Sequence, residues 1–345
     1  MKKILLLAFM LFISSASFAE ETGSCGVGCS YVYNEETGDL VVSGNGMLRN
    51  VPHKENITSV VIEDGIKEIY YYAFKEATNL TSVIIPNSVT TMRDGVFMGA
   101  TAIQNVTIPE GVISMGHNMF YGATNLTNVT LPNSLTSLGG NTFRGTASLT
   151  QFEMPSGLTS ITEGMFAGSS IKEFKVPEGV TSIGASAFGN TLTLESIVIP
   201  EGLTSIGASA FRSTALKELI LPESIKSIGS YAFFGVTTFT NIVIPDGIET
   251  IDEWSFYGAA PTEITMSSET IEKFINAKGS LQNLQSLKCT DAVEKCREVL
   301  RSLGKGSLID KVEFGGDHSY AIDPNFGTIN GLHPYAAPSK SLPLM

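Results

Sequence analysis

Four cysteines are the residues of this chain whose spacing most directly suggests chemistry. Cys25 and Cys29 form one local couple and Cys289 and Cys296 another, near opposite ends of the chain. In an oxidising compartment such neighbours close into disulfides, and pairing within each couple is the preferred arrangement. Other pairings and metal ligation are the alternatives. Zinc usually takes four ligands, however, and His53, His117, His318 and His333 are scattered along the chain. A second group with chemical potential is the acidic column Glu178, Glu201, Glu223 and Asp246, spaced by 23, 22 and 23 residues. Stacked in register, these carboxylates would stand about 4.8 Å apart. They could then offer oxygens to Ca²⁺, or serve simply as solvated turn residues.

Catalytic patterns are missing from the sequence. There is no G-x-S-x-G elbow, no H-E-x-x-H, no phosphate loop and no dinucleotide glycine pattern. His318 beside Asp317 is the one local acid and imidazole pair, and no nucleophile accompanies it. No catalytic, cofactor-binding or metal-binding residue is assigned, no cofactor is expected, and the chain is not read as an enzyme. A hydrolase acting through the C-terminal segment is the reading that this argument disfavours.

These groups are positioned by a repeat. Nine phenylalanines, Phe74, Phe97, Phe120, Phe143, Phe166, Phe188, Phe211, Phe233 and Phe256, recur at steps of 22 or 23 residues. From the second onward each lies eleven residues after a proline of the column Pro86, Pro109, Pro132, Pro155, Pro177, Pro200, Pro222 and Pro245, and Glu63 holds that place before Phe74. Such a period belongs to a solenoid of stacked units. Relative to the proline, apolar residues occupy positions −6, −3 and −1. The last two share one face of a short strand that ends where proline cannot donate to a ladder. A type I turn with proline at its second position follows. Apolar residues return at +3 and +6, and a helical turn such as Ala185 to Phe188 leads to the phenylalanine, whose ring should fill the gap between coils. One coil buries too little apolar surface to offset the entropy of ordering it, so stability must come from stacking, and both ends need caps.

The ends fit that need. Residues 1–19 carry Lys2 and Lys3 before an apolar run and end on Ser17 and Ala19, the pattern of a secretory signal peptide. Removing it leaves 20 basic against 34 acidic residues, a net charge of −14. That surface disfavours nucleic acid and anionic membranes as partners. No transmembrane segment is expected in the mature chain, and the expected state is a monomer. Residues 20–56 read as an N-terminal cap built on a hairpin of Ser30–Tyr33 and Asp39–Ser43. Residues 57–267 hold nine copies of the unit and a terminal strand at Glu263–Met266. Residues 268–304 read as a helical C-terminal cap, its second helix starting at Thr290 and stopping at Gly304. Residues 305–345 form a Gly- and Pro-rich tail, flexible or docked as a small arm.

Positions −2 and −4 of each strand point away from the core and should line one continuous face. Along it Glu153, Glu173, Lys175 and Glu218 supply charge, Asn241 supplies an amide, and Val198, Ile220 and Val243 form an apolar row. An exposed apolar row on a strand face can mark a partner contact, and β-propensity or cover supplied by the C-terminal tail are the competing explanations.

The unit L-x-x-V-x-I-P-x-x-V-x-x-I-x-x-x-A-F, seen as LESIVIPEGLTSIGASAF at Leu194–Phe211, resembles the BspA-type leucine-rich repeat. The resemblance covers Ile57 to Ser267 and extends upstream, where CGVGCSYVYNEETGDLVVSGNGML at Cys25–Leu48 is similar to that family's N-terminal cap, with Tyr31 where the pattern often has Trp. It implies a repeat solenoid, a leucine-rich-repeat right-handed superhelix with a parallel strand ladder, an N-terminal hairpin cap and a helical C-terminal cap. It also implies an exported or surface protein that binds protein or glycan partners without covalent chemistry, some family members acting as adhesins for host matrix proteins. The alternative is a structural envelope component that associates with itself.

Overall fold

In the computed structural model, residues 20–315 are described; the leader read at 1–19 and the chain beyond Gly315 lie outside them. Every coil but the one that reaches Pro155 opens with a short strand two to four residues before its proline column, as in Ser82–Ile84, Asn105–Thr107, Ser196–Val198 and Asn241–Val243. The middle residue turns inward, so Val106, Leu219 and Ile242 are buried. Proline then ends the pairing, and its carbonyl accepts from the N–H three residues on, Val89 to Pro86 at 3.2 Å and Leu203 to Pro200 at 3.2 Å. Proline is therefore the first residue of the turn, one place earlier than the sequence reading put it. The reason lies in the core: the fourth turn residue is the apolar +3 side chain, and Val89 and Leu203 are drawn fully inside. A second, two-residue strand at +5 and +6 follows, such as Ser205–Ile206, stacked parallel and in register with its neighbours.

The segment around the phenylalanine differs from the expected helical turn. In all nine coils the residue two before the ring and the residue two after it have positive φ, from Tyr72 and Glu76 in the first to Trp254 and Gly258 in the last. A right-handed helix would hydrogen-bond within the coil. Here the N–H groups of residues −2, 0 and +2 donate to carbonyls of the following coil instead throughout the first seven coils, as in Gly95 to His117, Phe97 to Met119 and Gly99 to Tyr121, and in the last two Phe233, Gly235 and Phe256 do so. The left-handed residues aim those donors outward along the stack. This geometry also sets ring on ring: successive phenyl centroids lie 5.1 to 5.7 Å apart with planes within 18° of parallel. Every one of the nine rings is fully buried.

The first ladder is not the single continuous sheet that the repeat suggested. It falls into sections, broken between Ile84 and Asn105, across Gln151–Met154 and between Val198 and Glu218. At the central break Phe152 replaces the usual aliphatic residue, and its ring tilts against Phe143 at 4.7 Å and Phe166 at 5.2 Å. Phe174, one coil on, makes similar contacts with Phe166 and Phe188. Two bulky rings at adjacent inward positions thus coincide with the loss of strand geometry.

At the N-terminal end the hairpin of Cys29–Asn34 and Asp39–Gly44 gains a third antiparallel strand, Glu20–Gly26. Asp39–Gly44 pairs parallel with Ser59–Ile62 and so hands the cap over to the first coil. The added strand is fastened by Glu21. Its carboxylate accepts from the Tyr31 hydroxyl at 2.5 Å and meets His53 Nε2 at 2.6 Å, and His53 stacks on Tyr33. The Tyr31 hydrogen bond, then that from His53, holds the Glu21 carboxyl below its ordinary value of 4.5.

At the other end the helix Ser268–Asn276, capped by Ser267, places buried Phe274 4.9 Å from Phe256 and so ends the phenyl stack. The second helix spans Val293–Ser302 and starts from Ala292 without a side-chain cap, not from Thr290. The nearby Asp291 is engaged elsewhere, accepting from the backbone N–H and hydroxyl of Ser268. Two strands extend the ladder beyond the sequence reading: Ser286–Cys289 pairs with Glu263–Met266, and Val312–Phe314 pairs with Ser286–Cys289. The opening of the segment read as a flexible tail, Gly306–Phe314, is therefore a 3₁₀ turn and a strand belonging to the cap.

Three outcomes follow from this packing. Phe143→Ala should lower stability by about 3–5 kcal/mol in denaturant unfolding, as a buried aromatic truncation; a loss below 1 kcal/mol would show that the stack is not core. Gly168 has φ +66° with nothing within 4 Å of an added Cβ, so Gly168→Ala tests backbone handedness alone. Its expected cost is about 1–2 kcal/mol, and a stabilised variant would contradict the left-handed assignment. Because the Glu21 carboxyl is held low, its contribution exists above pH 4.5 and fades as pH falls through the depressed value. Hydrogen exchange of the Glu20–Gly26 amides should accordingly separate wild type from Glu21→Gln at pH 7 and converge at strongly acidic pH.

Candidate functional site

Both cysteine couples are disulfides, Cys25–Cys29 and Cys289–Cys296, with no free thiol among the described residues. Cys289, Asp291 and Cys296 are close enough to resemble a metal cluster, but their sulfurs are bonded to each other and Asp291 holds Ser268. Glu178, Glu201, Glu223 and Asp246 are exposed at their turns, and Asp246 accepts from the Thr290 hydroxyl at 2.9 Å. Asp317 and His318 lie outside the described residues. Carboxyls held low at Glu195, Glu269 and Glu294 each owe the shift first to a hydrogen bond, from Lys217, Lys273 and Arg301 respectively. These are surface ion pairs, the first on a coil and the other two on the helices of the C-terminal cap.

The strand face divides the eight residues singled out from sequence. Glu153 is exposed at the central break, where no strand is formed. Glu173 and Lys175 share a paired section with Val198. Glu218, Ile220, Asn241 and Val243 share the next, where Glu218 is opposite Asn241 and Ile220 opposite Val243. Ile220 is 43% exposed, whereas Val198 and Val243 are half-buried. Beyond Val243 the row continues as Thr265 and Lys288. The apolar row is thus bounded by Lys175 at one end and Lys288 at the other, with the Lys217–Glu195 pair at 2.5 Å beside it.

A second surface was not singled out from sequence. It lies outside the phenyl stack, at the residue two before and the residue one after each ring. Most coils place Gly, Asn or Ser two before the ring, the types that tolerate left-handed backbone. Three coils place Tyr72, Tyr231 and Trp254 there instead, all with φ near +60°. Around Tyr72 cations and carboxylates mix: Arg49 lies over Tyr70, Arg93 over Tyr71 while paired with Glu68, and Lys75 over Tyr72 beside Glu76. In the middle, Arg144 lies over Tyr121, and Ala167 and Gly189 leave a shallow depression of about 230 Å³. At the C-terminal end four aromatic rings meet on the surface. The signal in the sequence was a departure from the small-residue column, which an analysis of core positions passes over.

Comparison with known proteins supports this architecture. The family model for the BspA type leucine rich repeat region, in six copies, matches residues 52–171, 90–215 and 159–288. No curated protein matches significantly. Among solved structures, a leucine-rich repeat protein from Bacteroides ovatus aligns with TM-score 0.63 and 19% identity over 90% of this chain and 79% of its own. One from Eubacterium ventriosum has TM-score 0.46 and 19% identity over 78% of this chain and 90% of its own. Among the described residues no helix is long and apolar enough to cross a membrane. With the family model matching well over half of its length, the chain belongs to the BspA-type leucine-rich repeat family.

Proposed function

We propose that this is an exported repeat protein that holds a protein partner non-covalently against its strand face, in the manner of an adhesin. The observation that carries the reading is the apolar row Val198, Ile220 and Val243, presented outward from consecutive coils of a rigid stack. Glu173 and Lys175 at one side and Glu218 and Asn241 at the other surround it with groups that can select a partner by charge and hydrogen bonding. An apolar centre inside a polar rim is how protein interfaces are built. Export is supported by the leader pattern in residues 1–19 and by the two disulfides, which persist in oxidising compartments. The family fold supports interaction and does not itself name a partner.

The test uses the chain from Glu20 onward and its Val198→Glu, Ile220→Glu, Val243→Glu variant against immobilised host matrix proteins. Burying three introduced carboxylates should weaken any specific binding at least tenfold, about 1.4 kcal/mol, with unchanged thermal unfolding. Equal binding by the variant would remove the strand face as the site. If the wild type instead binds none of the panel and its mass in solution rises with concentration, self-association replaces this reading.

A further inference from the structure

From the geometry of the phenyl corner we infer a second binding site, for an acidic carbohydrate, at its C-terminal end. The six residues are Arg212, Tyr231, Phe234, Trp254, Tyr257 and Lys278. Phe234 and Tyr257 stack at 5.3 Å with planes 19° apart, Tyr231 tilts against Phe234 at 5.6 Å, and Trp254 tilts against Tyr257 at 5.2 Å. Arg212 lies 4.9 Å over Phe234 at one end and Lys278 5.3 Å over Trp254 at the other. Tyr231 and Tyr257 are 39% and 47% exposed, so these rings face solvent and not the core.

Nothing in the fold requires aromatic rings here. Tyr231 and Trp254 occupy left-handed backbone, with φ 61° and 66°, where six other coils use Asn or Ser or Gly without a ring. Bulky residues in that conformation are strained, and strain that serves no packing purpose points to function. The protein retains them where they build a platform.

Charge selects the class of ligand. Seven columns, from two before the ring to four after it, can be followed through the eight coils from Gly95 to Ala260. They contain no carboxylate, although the chain carries 34 acidic residues, and their sole charges are Arg144 and Arg212. Acidic residues stand just before these columns, at Asp94, Glu163, Asp252 and Glu253, the last two exposed beside Trp254. A cation lies over the rings at each end, which suits an anionic occupant held by Arg212 and Lys278. The backbone offers little to an extended peptide, because Ser213, Phe233 and Gly235 donate their N–H groups to the next coil. What remains for recognition is ring faces and cationic side chains. Exposed ring faces pack against the C–H face of a pyranose, and Arg212 and Lys278 would pair with its carboxylate or sulfate.

The chain contains a single tryptophan, Trp254, so its emission reports on this site alone. Titration at physiological salt with tetragalacturonate and with a heparin tetrasaccharide separates carboxylated from sulfated sugars. A saturable change in emission with either supports the site, and the stronger of the two names the acid. Maltotetraose, the neutral control, should bind at least tenfold more weakly, as should poly-L-glutamate. Arg212→Gln and Tyr257→Ala should each weaken binding at least fivefold. Tyr231→Asn, which restores the residue type of other coils, should abolish or strongly weaken binding while leaving the melting temperature equal or higher. A lowered melting temperature in Tyr231→Asn would mean that the rings are structural and would overturn the inference. So would equal binding of maltotetraose or poly-L-glutamate, or no emission change with either acidic sugar.

Discussion

The structure depends on one arrangement, a buried phenylalanine held between two left-handed residues, with the phenylalanine N–H of every coil donating to the next turn of the chain. No coil can satisfy those donors by itself. The ring likewise has no core of its own: from Phe97 onward each is buried between the rings of the turns before and after it, as Phe120 is between Phe97 at 5.4 Å and Phe143 at 5.7 Å. Backbone hydrogen bonding and apolar burial therefore fail or succeed together, which makes stacking obligatory and gives the solenoid its cooperativity between nearest neighbours. The caps follow from the same requirement, since the first and last coils each have one side uncovered.

Much of this was legible in the sequence because a period repeated nine times separates core from surface without knowledge of backbone angles. The phenylalanine column, the aliphatic columns around the prolines, the local disulfides and the capping elements all express themselves as residue type at fixed spacing. Backbone handedness does not. The column two before the ring reads Tyr, Gly, Asn, Asn, Gly, Ser, Ser, Tyr, Trp, and its shared property is a φ sign that no side-chain class encodes. The turn after proline was displaced by one residue for a similar reason, because the position of the inward side chain and not the preference of proline decides where it closes. Ser286–Cys289 is hard to read from sequence because its paired residues lie 23 before and 25 after it, with irregular helical segments between.

The candidate surfaces were legible to different degrees. The strand face is where alternation predicts an outward side chain, so its apolar row could be read directly, although the break at Phe152 divides the face in a way that alternation cannot anticipate. The phenyl corner could be read only as core, because the periodic ring dominates it. The two surfaces also differ in charge. Carboxylates and lysines crowd the strand face and the turns, whereas the corner beyond its first coil is free of acid. A repeat of this kind can thus keep two chemically separate faces on one narrow body, each varied one coil at a time without disturbing the shared core.

The common direction of the corner N–H groups has an electrical consequence. Peptide dipoles that point the same way add, as they do along a helix. The corner is a second kind of aligned column, with carbonyl oxygens facing the N-terminal end and N–H groups facing the C-terminal end. Lys54 meets the first end, its ammonium 2.8 Å from the Tyr72 carbonyl. At the other end the Phe256 N–H is met by the Ala277 carbonyl, at the C-terminus of a helix, which is that helix's negative pole. The helical cap therefore terminates a field as well as a core, opposite pole to opposite pole.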